Sequence, residues 1–138
     1  MQNVQLDPSA FVADPELISA LEVRSVRIPC ETDRILFHQG DPATGVFILL
    51  EGAATVTMNA VSDEQVLTLE AAPGSLLGLP GLIANQPYSL TACAHRGSEV
   101  LFISREDFTG LMHSNPQLSL KVLQVLAAEV RTARRALY

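Results

Sequence analysis

Apolar positions change their period twice along this chain. Leu17, Ile18 and Leu21 recur at i, i+1 and i+4, the face of an α-helix. Asp14-Pro15-Glu16 just ahead of them supplies a cap, a proline at the first helical position and an acid in the first turn. A helix over about 15–22 is expected. From Ser25 onward the period shortens to two, or to brief apolar runs. Strands are expected at Ser25–Ile28, Ile35–His38, Val46–Leu50, Ala53–Met58, Gln65–Leu69, Ser89–Ala94 and Val100–Ile103. Ala54, Val56 and Met58 alternate with Thr55 and Thr57, the mark of a strand buried on one side. Gly40-Asp41-Pro42, Glu51-Gly52, Ala72-Pro73-Gly74 and Arg96-Gly97-Ser98 separate the runs with turn residues. Short strands so closely spaced point to an antiparallel sandwich or barrel over about 25–103.

The helical period returns at the end, over about 105–137. Ser104 followed by Asp107 resembles a capping box. Phe108, Leu111 and Met112 give a short apolar face behind it. Asn115-Pro116 restarts the chain as cap and first helical position. The last helix then runs to about Leu137, roughly 33 Å at 1.5 Å per residue. Leu123, Leu126, Val130, Ala133 and Leu137 are spaced 3, 4, 3 and 4, a heptad seam suited to a second copy of the chain. Leu118, Val122 and Val125 form another apolar face beside it. Two outcomes are open: one face packs on the body while the other dimerises, or both cover a wide core contact.

Composition narrows the functional classes. The 138 residues fit one domain spanning 1–138, and 48% are hydrophobic, enough for a core without covalent staples. Nine Lys and Arg against fifteen Asp and Glu give a net charge of −6, which disfavours a general nucleic-acid binder. Arg131, Arg134 and Arg135 lie in the last helical turns, where cations suit the negative helix end. Met1 to Pro8 holds no cation and no apolar stretch of signal-peptide length. The longest apolar run, Leu76 to Ala84, is broken by Gly78, Pro80 and Gly81 and is too short for a bilayer. A cytoplasmic protein with no membrane partner is expected. Cys30, Cys93, His38, His95 and His113 show no metal-ligand spacing, no H-x-H and no G-x-S-x-G elbow exists, and Glu106-Asp107 belongs to a helix start. No metal and no enzymatic activity are expected.

Several segments together resemble a known family. Asp33-Arg34-Ile35-Leu36-Phe37-His38-Gln39-Gly40-Asp41-Pro42 precedes Val46-Phe47-Ile48-Leu49-Leu50-Glu51-Gly52. Pro73-Gly74-Ser75-Leu76-Leu77-Gly78 follows, then a serine-bearing strand, Val100-Leu101-Phe102-Ile103, a capped short helix and a long one. Over about residues 15–137 this resembles the cyclic nucleotide-binding domain of the catabolite activator protein and its Crp/Fnr-like relatives. The resemblance implies a mainly β fold with flanking helices: an eight-stranded double-stranded β-helix, or jelly roll, with a long C-terminal helix. Gly40 and Gly52 then sit at tight turns that favour positive φ. Where the family usually has another such glycine this chain has Asp33, a residue tolerated in the left-handed region.

The resemblance also locates a ligand cassette and exposes its departures. Family members hold the cyclic phosphate with backbone amides at a helical turn and with an arginine, and the ribose hydroxyl with a glutamate. The usual pattern is Gly-Glu, then Arg-Ser/Thr-Ala about ten residues on. Here Gly78 is followed by Leu79 at the glutamate position, and Tyr88 stands at the arginine position. Pro80 has no amide hydrogen to donate; Ser89 keeps the expected hydroxyl. Losing a buried charge partner costs about 3–5 kcal/mol and the ribose contact about 1–3 kcal/mol. Each 1.4 kcal/mol is about tenfold in affinity, so a micromolar site becomes millimolar or worse. Cyclic nucleotide is thus the cofactor implied by the family and disfavoured by these residues. The candidate cassette comprises Gly78, Leu79, Gly81, Leu82, Tyr88, Ser89 and Leu90. Leu79, Leu82, Tyr88 and Leu90 either line a pocket for a less charged effector or fill the former one.

The expected function is a regulatory or signalling sensor domain with a small-molecule effector, a homodimer through the last helix, and a protein partner. One alternative is a non-sensing dimerisation or interaction module. Another is a Crp/Fnr-type regulator lacking its DNA-binding domain, since no helix-turn-helix follows Tyr138 and direct nucleic-acid contact is not expected.

Overall fold

The computed structural model describes residues 2–5, 7–59 and 65–137, with side chains within 7–59 and 66–132. Nine strands among them form two sheets. The strands are β1 (Gln2–Gln5), β2 (Val26–Ile28), β3 (Arg34–Phe37), β4 (Gly45–Glu51), β5 (Ala54–Asn59), β6 (Gln65–Ala71), β7 (Ser75–Leu77), β8 (Thr91–Ala94) and β9 (Glu99–Ser104). One sheet has the order β1-β6-β5-β8-β3, the other β2-β9-β4-β7. All described pairings are antiparallel except β1 with β6, in which Gln2 faces Gln65 and Gln5 faces Thr68. The helices are α1 (Pro15–Glu22), α2 (Leu79–Ala84), α3 (Arg105–Ser114) and α4 (Pro116–Leu137). A 3-10 turn at Pro8–Phe11 precedes α1.

The sequence features that start the helices act as expected. The Asp14 carboxylate accepts from the Glu16 amide at 2.8 Å and caps α1. The Ser104 hydroxyl accepts from the Asp107 amide at 3.2 Å and caps α3. Both contacts satisfy amides that have no intrahelical partner. Gly40 and Gly52 have φ of +95° and +92°, as their turns require. Asp33 differs from expectation: Asn85 is the one described non-glycine residue at positive φ. Asp33 instead accepts from the Arg96 amide at 2.7 Å, so its carboxylate, not a left-handed backbone, holds that turn.

Three further expectations need correction. β1 has too few apolar positions to show a period, and it adds a parallel edge strand to the eight expected. β7 hides inside an apolar run: Ser75, Leu76 and Leu77 are all buried, so no alternation marks them. Ser89 and Leu90 lie before β8, not within it.

Strand β4 divides the interior in two. Phe47 and Leu49 face the other sheet and join Phe37, Val56, Leu69, Leu77 and Ala92. Val46 and Ile48 face the helices and join Leu17, Leu21, Leu76, Ile103 and Phe108. Leu118, Val122 and Val125 of α4 complete this second cluster. The Lys121 ammonium adds an ion pair with Asp14 at 3.1 Å, joining α4 to the start of α1. That contact draws the Asp14 carboxyl below its ordinary range.

Candidate functional site

The cassette begins where β7 ends. Gly78 takes φ +91° and ψ 8°, which turns the chain sharply into α2. A Cβ at Gly78 would lie 2.6 Å from Cε1 of Tyr88, so glycine is required twice here: for backbone conformation and for the neighbouring ring. Helix α2 has no side-chain cap and carries Pro80 in its first turn. It closes at Asn85 in the left-handed region, whose amide returns to the carbonyls of Gly81 and Leu82. Gly81 is packed under the following loop, with the Pro87 carbonyl 3.0 Å from where a Cβ would stand.

Tyr88 is the centre of this arrangement. Its side chain is buried in the core between the sheets and its ring stacks on Phe37, with centroids 3.9 Å apart. The hydroxyl donates to the Gly45 carbonyl at 2.7 Å. It accepts from the amides of Thr44 at 3.2 Å and Gly45 at 3.3 Å. The Tyr88 amide donates to the Asp41 carbonyl, and the Tyr88 carbonyl accepts from the Gly40 amide. The aromatic ring thus supplies apolar packing while its polar tip is fully partnered, the condition for burying a tyrosine.

The cassette residues separate into different environments. Leu79 and Leu82 are buried in the helix-side cluster with Ile48 and Phe108. Tyr88 belongs to the cluster between the sheets. Of the two arrangements the sequence leaves open, lining a pocket or filling it, these placements are those of packed side chains for Leu79, Leu82 and Tyr88. Leu90 borders an open space, together with Ser89. The division follows from β7 and α2 lying at the boundary between the two cores.

That open space is a cavity of about 190 Å³ between the cassette and α4. Strands β5 and β6 wall it with Val56, Met58 and Leu67, and the 3-10 turn adds Phe11. The cassette contributes Pro80, Ser89 and Leu90, while Glu129, Val130 and Thr132 reach it from α4. Burial pushes the Glu129 carboxyl up to about 8, from an ordinary value near 4.5. Among the described residues Glu129 has neither a hydrogen bond nor an ion pair. The sequence carried a signal for it that heptad counting on the other face passed over. Leu118, Val122, Val125, Glu129 and Thr132 are spaced 4, 3, 4 and 3, so the buried stripe of α4 ends in two polar residues.

One cation is committed to the cassette from outside. Arg105 donates to the Leu82 carbonyl at 3.2 Å and to the Ala43 carbonyl at 2.6 Å, while its own amide bonds the Thr44 carbonyl. Its guanidinium links a backbone oxygen of α2 to one just before β4. Burial raises the pKa of the Cys30 and Cys93 thiols, which keeps both in the unreactive protonated form. No group of three or more potential metal ligands occurs among the described residues.

On α4, Leu123 and Val130 are 58% and 56% exposed. With Leu126, Ala127 and Arg131 they border a shallow groove. Ala133 and Leu137 of the heptad seam, and Arg134 and Arg135, have side chains outside the described residues. No described helix is long and apolar enough to cross a membrane.

The family model for the cyclic nucleotide-binding domain matches residues 27–115, which include every strand from β3 to β9, the cassette and α3. The chain belongs to the cyclic nucleotide-binding domain family. It is 30% identical over 123 residues to an uncharacterized NTE family protein of Mycobacterium tuberculosis, covering 89% of this chain and 20% of that protein. It is also 30% identical over 104 residues to the transcriptional activator protein anr of Pseudomonas aeruginosa, covering 75% of this chain and 42% of anr. The chain thus spans a fifth to two fifths of these relatives. The crystal structure of the Thermus thermophilus catabolite activator protein superposes with a TM-score of 0.75 at 24% identity, covering 95% of this chain and 62% of that one. That likeness extends to the sandwich, the flanking helices and the long terminal helix. The family fold is a regulatory one, and this chain is a cyclic nucleotide-binding-like regulatory domain.

Proposed function

We propose that this domain is a sensor that does not take cAMP or cGMP in its family's usual way. The observation that carries the reading is Tyr88. It stands at the position the family gives to the phosphate-binding arginine, and its ring and hydroxyl are already satisfied by Phe37, Thr44 and Gly45. Leu79, at the glutamate position, points into the helix-side core. A nucleotide phosphate there would meet neither a cation nor free space, and an unpaired buried charge costs several kcal/mol, on the order of 3–5. Isothermal titration with cAMP and with cGMP is the test. No saturable binding is expected, and a Kd below about 10 µM for either nucleotide would overturn the reading.

The sensor acts as a homodimer through α4. The exposed Leu123 and Val130, beside the half-buried Leu126, lie on one side of a helix whose other side is committed to the body, which supports this arrangement. Light scattering should show a dimer for the native chain and a monomer for Leu126→Glu with Val130→Glu. An unchanged dimer would remove this interface. The regulated activity resides in a further domain or a partner protein in the cytoplasm, a reading supported by relatives much longer than this chain. A ligand shifts such a partner only if it binds one arrangement of α4 better than the other.

A further inference from the structure

The cavity beneath α4 has a chemistry opposite to that of an anion site. Among the described residues no cation lines it, its walls are mostly aliphatic and aromatic, and its ionisable group is a carboxyl. An acid in such a place is costly unless it is paired. Glu129 nevertheless occupies a position that helical spacing assigns to the buried stripe, directly after Leu118, Val122 and Val125. Its carboxylate is half-buried and has no partner among the described residues, so it is free to meet a group from outside them. The size is informative too. An apolar cavity of about 150 Å³ accepts benzene, and this one measures about 190 Å³, room for one ring and a short polar arm.

We propose that this cavity binds a small apolar amine, with its ring or hydrocarbon body against Val56, Met58, Leu67 and Leu90 and its ammonium on the Glu129 carboxylate. The inference rests on the sensor reading above and names the ligand class of that sensor. The Ser89 and Thr132 hydroxyls, both bordering the space, accept the remaining ammonium hydrogens. A phosphate, a carboxylate or a fatty acid is repelled by Glu129 and finds no counter-charge. Because α4 supplies Glu129, an occupied site pulls this helix toward β5 and β6. Binding an ammonium ion to a protonated carboxyl releases one proton to solvent, so charge balances at the ion pair. Among the described residues no other titratable group lines the cavity from β5, β6, the 3-10 turn or the cassette. Arg131 of α4 borders the groove of the heptad seam.

Three single-ring probes separate the outcomes: benzylamine, benzyl alcohol and benzoate. Titration calorimetry at pH 8 should show benzylamine binding about tenfold or more tighter than benzyl alcohol, the advantage of a charge-assisted contact, and benzoate not at all. Between pH 6.5 and 8 benzylamine should tighten by about tenfold while benzyl alcohol stays constant. Amide chemical-shift changes should centre on Ser89, Leu90 and Val130. Glu129→Gln should abolish the preference for amine over alcohol while still binding the alcohol. Equal binding of amine and alcohol, failure of both, a flat pH profile in the native chain, or a preference surviving in Glu129→Gln would each overturn the proposal. Such failures leave the sensor reading standing. That reading is overturned by micromolar cAMP or cGMP binding, which these probes do not report.

Discussion

The two ends of the cassette have opposite fates. At one end Tyr88 fills the space between the sheets, stacked on Phe37 and hydrogen-bonded to Thr44 and Gly45. At the other a cavity of about 190 Å³ lies open between Leu90 and α4, with Glu129 beside it. The same few residues of chain serve both. The closed end sits where two sheets press together, so any side chain there must be well packed and fully partnered. The open end sits between a sheet and a helix, where the stripe of α4 turns polar. The first region is filled by packing, and the second has a carboxyl and no cation among its described lining residues.

The comparison breaks most sharply if the family's charges can be restored. Leu79→Glu with Tyr88→Arg should leave the chain unfolded in circular dichroism. Each places an ion in a core without a partner, at several kcal/mol apiece, on the order of 3–5. A folded double variant that bound cAMP would mean the closed end is only chemically disabled. Gly78→Ala is next, with an expected loss of about 2–3 kcal/mol in urea unfolding. It adds a side chain at φ +91° and drives a Cβ to 2.6 Å from the Tyr88 ring. Tyr88→Phe should cost about 1–3 kcal/mol, because the buried Gly45 carbonyl and the Thr44 and Gly45 amides lose their partner.

The smallest effect belongs to the open end and has the opposite sign. The folded state holds the Glu129 proton up to about pH 8, while the unfolded chain releases it near 4.5. Between those values the folded state binds more protons, so this residue's contribution to stability declines as pH rises. Glu129→Gln removes that decline. Glu129 is only half-buried, so solvent screens much of the roughly 4 kcal/mol that the full shift would carry. The variant should be more stable than the native chain by about 1–2 kcal/mol at pH 8, and equal to it below about pH 4.5. Thermal melts across that range check it; a variant less stable at pH 8 would mean that the carboxylate already has a partner.

Much of the architecture was legible from particular residues. Asp14 and Ser104 announced two helices because their side chains accept from backbone amides in any context. Ala54, Val56 and Met58 announced β5 because one face of that strand is covered. Leu118, Val122 and Val125 marked one of two apolar faces of α4, and this is the face that packs in the core. β7 was not legible because it is buried on both faces and reads as part of an apolar run. The substitutions Leu79 and Tyr88 identified the altered cassette. Their placement in separate cores depends on how two sheets and four helices meet around β4, information that no local pattern holds. Glu129 was readable in principle, as the polar continuation of a buried stripe.

Arg105 ties these regions together mechanically. Its guanidinium grips the carbonyls of Leu82 and Ala43, while it forms the first residue of α3. The cassette helix therefore cannot tilt without pulling on the root of the terminal helical pair. Any tilt of α2 around a bound guest would be carried by this strut to α3 and on to α4, as a short crank moves a long arm.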